Sequence, residues 1–152
     1  MVAGRLSGIA RHNRPHGEIE VLGQASITRE AGLVGDARGA LKRAPYRRQI
    51  SLIERECWDT ATAEAGVALP WHVRRANLLV EGLRIPRTPG TRLRIGDTCI
   101  IEVTCECDPC ARMDAIATGL RKALEPDWRG GFLGKVVNDG DIAMGDTIRI
   151  EG

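Results

Sequence analysis

Apolar and polar positions alternate from Cys99 to Cys105, with Cys99, Ile101, Val103 and Cys105 on one side and Ile100, Glu102 and Thr104 on the other. A period of two predicts a strand with one face in the core. Directly afterwards, Met113, Ile116, Leu120 and Leu124 recur at spacings of three and four. That spacing predicts a helix over Pro109–Leu124, ended by Glu125-Pro126-Asp127. A second helix is predicted over Glu54–Ala65, closed by Gly66. Besides Thr98–Cys105, short β-rich runs predict strands near Gly17–Leu22, Arg48–Ile53, Asn77–Val80, Arg92–Ile95, Gly134–Val137 and Thr147–Ile150. Strands and helices do not alternate regularly, which argues against a doubly wound parallel sheet. The pattern predicts a mainly β domain over residues 1–152, a closed or partly closed β-barrel with two or three flanking α-helices.

Ile95-Gly96-Asp97-Thr98-Cys99-Ile100 resembles Met144-Gly145-Asp146-Thr147-Ile148-Arg149, and Gly35-Asp36 repeats the centre of both. Gly-Asp before a β-rich run is a turn signal, so these repeats read as barrel turns rather than as a duplication.

The junction Thr104-Cys105-Glu106-Cys107-Asp108-Pro109-Cys110 carries the most chemistry. Asp108 is a good N-cap residue and Pro109 suits the first helical position. Cys110 is then expected in the first helical turn, beside free N–H groups that favour thiolate, while Asp108 opposes this with its own charge. The competing reading is a buried structural cysteine. Cys99 and Cys105 belong to the apolar face and read as core; Cys107 lies in the connection and stays ambiguous. A closed zinc site needs four ligands, and this spacing offers three, with His12, His16 and His72 scattered elsewhere.

Composition narrows the partners. Hydrophobic residues make up 43% and charged residues 28%, as in ordinary globular proteins. The five cysteines, without an apolar leader at Met1–Leu6, read as reduced thiols in a cytoplasmic protein. No segment is apolar enough to span a bilayer, so no membrane partner is expected. Nineteen arginines stand against three lysines. A GC-rich genome would produce this bias, and so would recognition of oxyanions by guanidinium forks. Five aromatics and no basic tail give no support to nucleic-acid binding. Three segments are candidates for anion or ligand contact: Arg74-Arg75-Ala76-Asn77, Trp128-Arg129-Gly130-Gly131 and Gly32–Arg38. Each can also be read as a solvated barrel edge or a glycine turn. No Ser/His/Asp order, Walker loop or dinucleotide fingerprint is present.

In order and spacing, several segments resemble the MOSC domain, named for the C-terminal domain of molybdenum-cofactor sulfurases. They are Gly32–Arg38, Arg48–Leu52, Arg74–Gly82, Leu93–Asp97, Val103-Thr104, Asp108–Met113, Arg129-Gly130-Gly131 and Gly140–Asp146. The resemblance implies a β-barrel with flanking helices and a molybdopterin-type molybdenum cofactor ligated by Cys110. It assigns cofactor contacts to Asp36, Arg38, Arg75, Asn77, Thr104, Arg129 and Gly130. It further implies either reduction of N-hydroxylated compounds with an external electron-donor reductase, or sulfur carriage between donor and acceptor proteins through a persulfide on Cys110. Pyridoxal phosphate, which belongs to a desulfurase domain fused upstream in the sulfurases, is not expected here. Many standalone relatives carry a histidine after a Gly-Asp-Arg segment, where this chain has Ala37-Arg38-Gly39. Cys105 and Cys107 are additional thiols near Cys110 that would allow persulfide relay or disulfide formation.

Overall fold

The runs Ile50–Ile53 and Leu78–Val80 lack alternation because both faces of each strand are covered. The structure, a computed structural model, describes residues 3–14, 16–37 and 48–151. Its strands are β1 (Ala3–Arg11), β2 (Glu20–Leu22), β3 (Gln24–Thr28), β4 (Gly32–Leu33), β5 (Ile50–Glu54), β6 (Leu78–Glu81), β7 (Arg92–Ile95), β8 (Cys99–Glu106), β9 (Phe132–Asn138), β10 (Gly140–Ala143) and β11 (Thr147–Glu151). Helices among the described residues are α1 (Arg55–Ala65), α2 (Ala111–Ile116) and α3 (Leu120–Leu124), with 3-10 turns at Trp71–Arg74 and Pro126–Trp128.

Seven strands close a barrel in the order β11-β7-β8-β9-β5-β6-β1, sealed by β1 against β11 through Ala3↔Arg149 and Arg5↔Thr147. Past Arg5, the same edge of β1 accepts β2 through Ile9↔Leu22 and Arg11↔Glu20. The β5–β6 pair is parallel, with Leu52 opposite Leu78. Parallel neighbours need a crossover, and the segment containing α1 supplies it. A small sheet, β10-β3-β4, contributes Ile27, Leu33 and Ile142 to the barrel core beside Leu6, Ile50, Leu52, Leu78 and Phe132. On the outer face of β5 and β6, Ile53 and Leu79 pack under Trp58 and Ala61 of α1, Met113 of α2 and Leu120 and Leu124 of α3. This second layer is where the helices dock. No helix among the described residues is long and apolar enough to cross a membrane.

Most predicted elements fall within a few residues of those observed, and β8 shows the expected alternation of burial. Two expectations at its end are corrected. The single helix over Pro109–Leu124 is instead α2 and α3, parted at Ala117-Thr118-Gly119, where Gly119 adopts φ 88°. Ile116 consequently leaves the apolar face and is exposed, whereas Met113, Leu120 and Leu124 remain buried. The N-cap is Cys110 and not Asp108, with φ −121°, ψ 179° and no side-chain cap bond. Pro109 is buried beside Gly130, and the chain runs two residues further than predicted before it coils. Cys99 is core as expected, while Cys105 is only half-buried.

Candidate functional site

β8 delivers the cysteines. Its pairing with β9 shifts register between Val103 and Cys105, a bulge that disturbs the alternation where the thiols begin. Thr104 Oγ1 donates to the Leu133 carbonyl at 3.1 Å, and the Cys107 N–H donates to Gly131 at 2.9 Å, so the ladder extends one residue past the strand. Cys107 is half-buried and Cys110 is exposed. Glu106 ends β8 just before these cysteines, its carboxyl pushed above the usual range by burial and by the neighbouring Asp108.

Arg74 holds this loop. It closes the Trp71–Arg74 turn, is 9% exposed, and reaches across to two backbone segments. Its Nε donates to the Gly130 carbonyl at 3.0 Å, and its Nη2 donates to the Cys107 carbonyl at 2.9 Å and to the Cys107 sulfur at 3.4 Å. Gly130 is required by this packing. A Cβ there would stand 2.8 Å from the Cys107 carbonyl oxygen and 3.2 Å from both Arg74 Nη2 and Pro109 Cδ. The sequence signal for Arg74 was the arginine pair itself, but only Arg75 was selected from it.

Arg75 follows in a left-handed conformation, φ 67°, which turns its side chain away from that of Arg74. Arg75 Nη2 donates to the Gly17 carbonyl at 3.0 Å. In the same loop His16 Nδ1 meets Arg112 Nη2, two residues beyond Cys110. The Gly17 loop therefore bridges Arg75 and α2. His16 thus stands against Arg112, and Gly17 beside it against Arg75, while the exposed Cys110 lies two residues before Arg112 in the chain.

The other expected residues lie elsewhere in the framework. Asn77 is 1% exposed and its amide is committed to β-structure: Oδ1 accepts from the Ser51 N–H at 3.0 Å and hydroxyl at 3.2 Å, and Nδ2 donates to the Ala10 carbonyl at 3.2 Å. Asp36 is buried, and its Oδ1 accepts from the His12 N–H at 3.0 Å with the His12 ring nitrogen at 3.5 Å. Arg129 Nη1 donates at 3.0 Å to both Glu64 of α1 and the Ala123 carbonyl of α3, which directs it toward the helical layer. Arg38 lies outside the described residues.

Cys99 and Cys57 are held toward the thiol form. Burial pushes Cys99 up to about 12, with Asp139 adding to the effect. Burial and a hydrogen bond to Glu54 push Cys57 up to about 11, despite Arg87 alongside. Among the described residues, no three His, Cys, Asp or Glu side chains converge as a metal-holding group.

A closed seven-stranded barrel thus carries an exposed cysteine between the end of β8 and the start of α2. The MOSC domain family model matches residues 20–149, and the chain belongs to that family. Its fold is similar to that of YuaD from Bacillus subtilis, with a TM-score of 0.79 at 19% identity, covering 96% of this chain and 94% of that one. YiiM from Geobacillus stearothermophilus gives 0.73 at 14% identity, covering 98% of this chain and 75% of that chain. YiiM from Escherichia coli gives 0.67 at 18%, with 97% and 70% covered. No curated protein matches the chain in sequence.

Proposed function

We propose that this MOSC domain binds a molybdopterin-type molybdenum cofactor through Cys110 and serves in the reduction of N-hydroxylated compounds. The observation that carries the reading is a single exposed thiol on a braced loop, with Arg112 two residues further along the chain and Arg75 linked to Arg112 through the His16-Gly17 loop. The donor set fits such a group. One soft thiolate without further protein ligands suits a metal whose other positions come from its own dithiolene and oxo or sulfido groups. When bound, the cofactor would supply a two-electron centre for N–O cleavage, renewed by an external reductase.

The chain's own contribution is binding and orientation. Arg74 and Gly130 fix the backbone from which Cys110 projects. Arg75 and Arg112 offer guanidinium forks to an anionic phosphate, a pairing favoured by charge-assisted, bidentate geometry. Asn77 acts at one remove, by locking the strand edges behind Arg75. Sulfur carriage by a Cys110 persulfide is the second reading, favoured by the half-exposed Cys105 and Cys107 close by in sequence.

Protein made in a host that synthesises the cofactor is expected to carry molybdenum, and Cys110→Ser to lose most of it, since a hydroxyl cannot replace a metal-bound thiolate. Cys105→Ser and Cys107→Ser should keep it. With an electron donor, wild type should reduce a hydroxylamine or hydroxylated nucleobase. Equal metal in wild type and Cys110→Ser would refute the ligand assignment. A one-sulfur mass increment on Cys110 without molybdenum would favour the carrier.

A further inference from the structure

Arg74 is 9% exposed, and among the described residues no carboxylate pairs with it. The acids flanking Cys107, Glu106 and Asp108, hydrogen-bond to each other instead. A buried charge is costly unless an opposite charge meets it. The donors of Arg74 are also only partly used. A guanidinium carries five N–H groups. Nε donates to the Gly130 carbonyl, and Nη2 donates to the Cys107 carbonyl and sulfur. Nη1 meets no acceptor among the described residues. A second donor is open at the same junction. Gly130 is buried and its carbonyl accepts from Arg74, yet its own N–H has no acceptor among the described residues. That N–H belongs to the residue whose Cβ would come 3.2 Å from Arg74 Nη2, so the open donors are close neighbours. Buried N–H groups are almost always paired, and two open sets on one junction call for an acceptor from outside the chain.

We propose that Arg74 and Gly130 form a binding site for a tetrahedral oxyanion of the phosphate class. Guanidinium and backbone N–H groups are the donors that such anions take together. Every two-nitrogen edge of this guanidinium includes Nε or Nη2, and both are engaged. The parallel pair of bonds that a carboxylate makes with arginine is therefore blocked. A tetrahedral oxyanion instead has oxygens enough to accept from Nη1 and from Gly130 separately, and its charge offsets that of Arg74. Glycine suits the position, since a Cβ there would also stand 3.2 Å from Pro109 Cδ and 2.8 Å from the Cys107 carbonyl oxygen. The site thus adjoins Pro109, one residue before Cys110. It goes beyond the molybdenum reading and does not depend on it. Arg75 and Arg112, the guanidinium groups offered to the cofactor in that reading, take no part.

The test is a titration of the isotope-labelled full chain with inorganic phosphate at constant ionic strength, with chloride as the reference anion, followed by amide NMR and by thermal melts. In wild type the Gly130 amide and the Arg74 Nε–H signals should shift together and saturate, and the melting temperature should rise over the same range. Arg75→Gly and Arg112→Ala should keep both effects at unchanged affinity. Arg74→Lys, which keeps the charge on a single nitrogen, should need several-fold more phosphate, and Arg74→Met should show no saturable shift. Where Arg74→Met fails to fold, the Gly130 signal of wild type and the Arg74→Lys titration still decide. A Gly130 amide that phosphate leaves unmoved would overturn the site. So would an equal response to chloride, unchanged affinity in the Arg74 variants, or loss of the effect in Arg75→Gly. None of these readouts measures molybdenum, so a failed site leaves the cofactor reading to its own test.

Discussion

Arg74 Nη2 lies 2.9 Å from the Cys107 carbonyl oxygen and 3.4 Å from the Cys107 sulfur, so one buried guanidinium fixes both main chain and side chain three residues before Cys110. Its Nε reaches Gly130 as well, which ties the end of β8 to the approach to β9. Arg74→Met would leave two carbonyls short of a donor. Hydrogen bonds from charged groups contribute about 1.5–3 kcal/mol each, and partial relaxation should bring the combined loss to about 2–4 kcal/mol. Arg75→Gly is expected to differ, because glycine relieves the left-handed backbone while the bond to Gly17 is lost. Those changes oppose each other, so stability should stay within about 1 kcal/mol of wild type. Urea denaturation of both variants measures the contrast.

The second expectation concerns Gly130. An alanine methyl would press on the Cys107 carbonyl, a backbone atom that can move only with its loop. Overpacking of this kind costs about 1–3 kcal/mol. Because the displaced loop carries Cys110, Gly130→Ala should lower molybdenum occupancy more than an equally destabilising change in the barrel core, such as Ile101→Val. Metal analysis at matched folded fraction distinguishes them.

How much of this was legible in the sequence depends on how local its causes are. The alternation in β8, the Gly66 end of α1 and the limits of β7 and β11 follow from neighbours along the chain, and each was readable. β1 was not. Ala3–Arg11 contains Gly4, Ser7 and Gly8, residues of poor strand preference, and it is a strand because β11, β6 and β2 all pair with it. Gly8 is there for a distant reason too: a Cβ would lie 2.6 Å from the Trp71 ring. At the candidate site, the Pro-Cys junction pointed to Cys110 and the arginine pair to Arg75. Arg74 was missed because its role lies in carbonyls supplied by residues 107 and 130. The committed amide of Asn77 was hidden likewise, since Ser51 and Ala10 meet it only in the folded barrel.

Thiol reactivity gives a third expectation. With Cys57 raised to about 11 and Cys99 to about 12, roughly one in a thousand and one in ten thousand are thiolate at pH 8. Iodoacetamide should therefore modify exposed Cys110 first and these two last, with their rates still climbing tenfold per pH unit up to pH 10. The same shifts fix a stability trend. The folded state keeps protons that the unfolded chain sheds from about pH 8.5, so stability should fall as pH rises from there toward 11. Cys57→Ala and Cys99→Ala should each flatten that alkaline slope in thermal melts. Early labelling of Cys57 in the native state would contradict its burial beside Glu54.

Asn77 and Arg129 separate framework from ligand contact most directly. Asn77→Ala would orphan the buried Ser51 N–H and Ala10 carbonyl, at about 1–3 kcal/mol for each unsatisfied group before relaxation. A loss of about 2–4 kcal/mol is expected. Arg129 joins Glu64, half-exposed on α1, to the Ala123 carbonyl of α3. Exposed ion pairs contribute about 0–1 kcal/mol, so with the carbonyl bond Arg129→Ala should lose about 1 kcal/mol. Asn77 is committed to Ser51 and Ala10 and Arg129 to Glu64 and Ala123, so at equal folded fraction both variants should bind cofactor as wild type does, whereas Arg75→Gly should bind it less. Calorimetric titration of each apoprotein with cofactor decides the point. A large affinity loss in Arg129→Ala with an unchanged melting temperature would return that arginine to the ligand site and remove it from the helical layer.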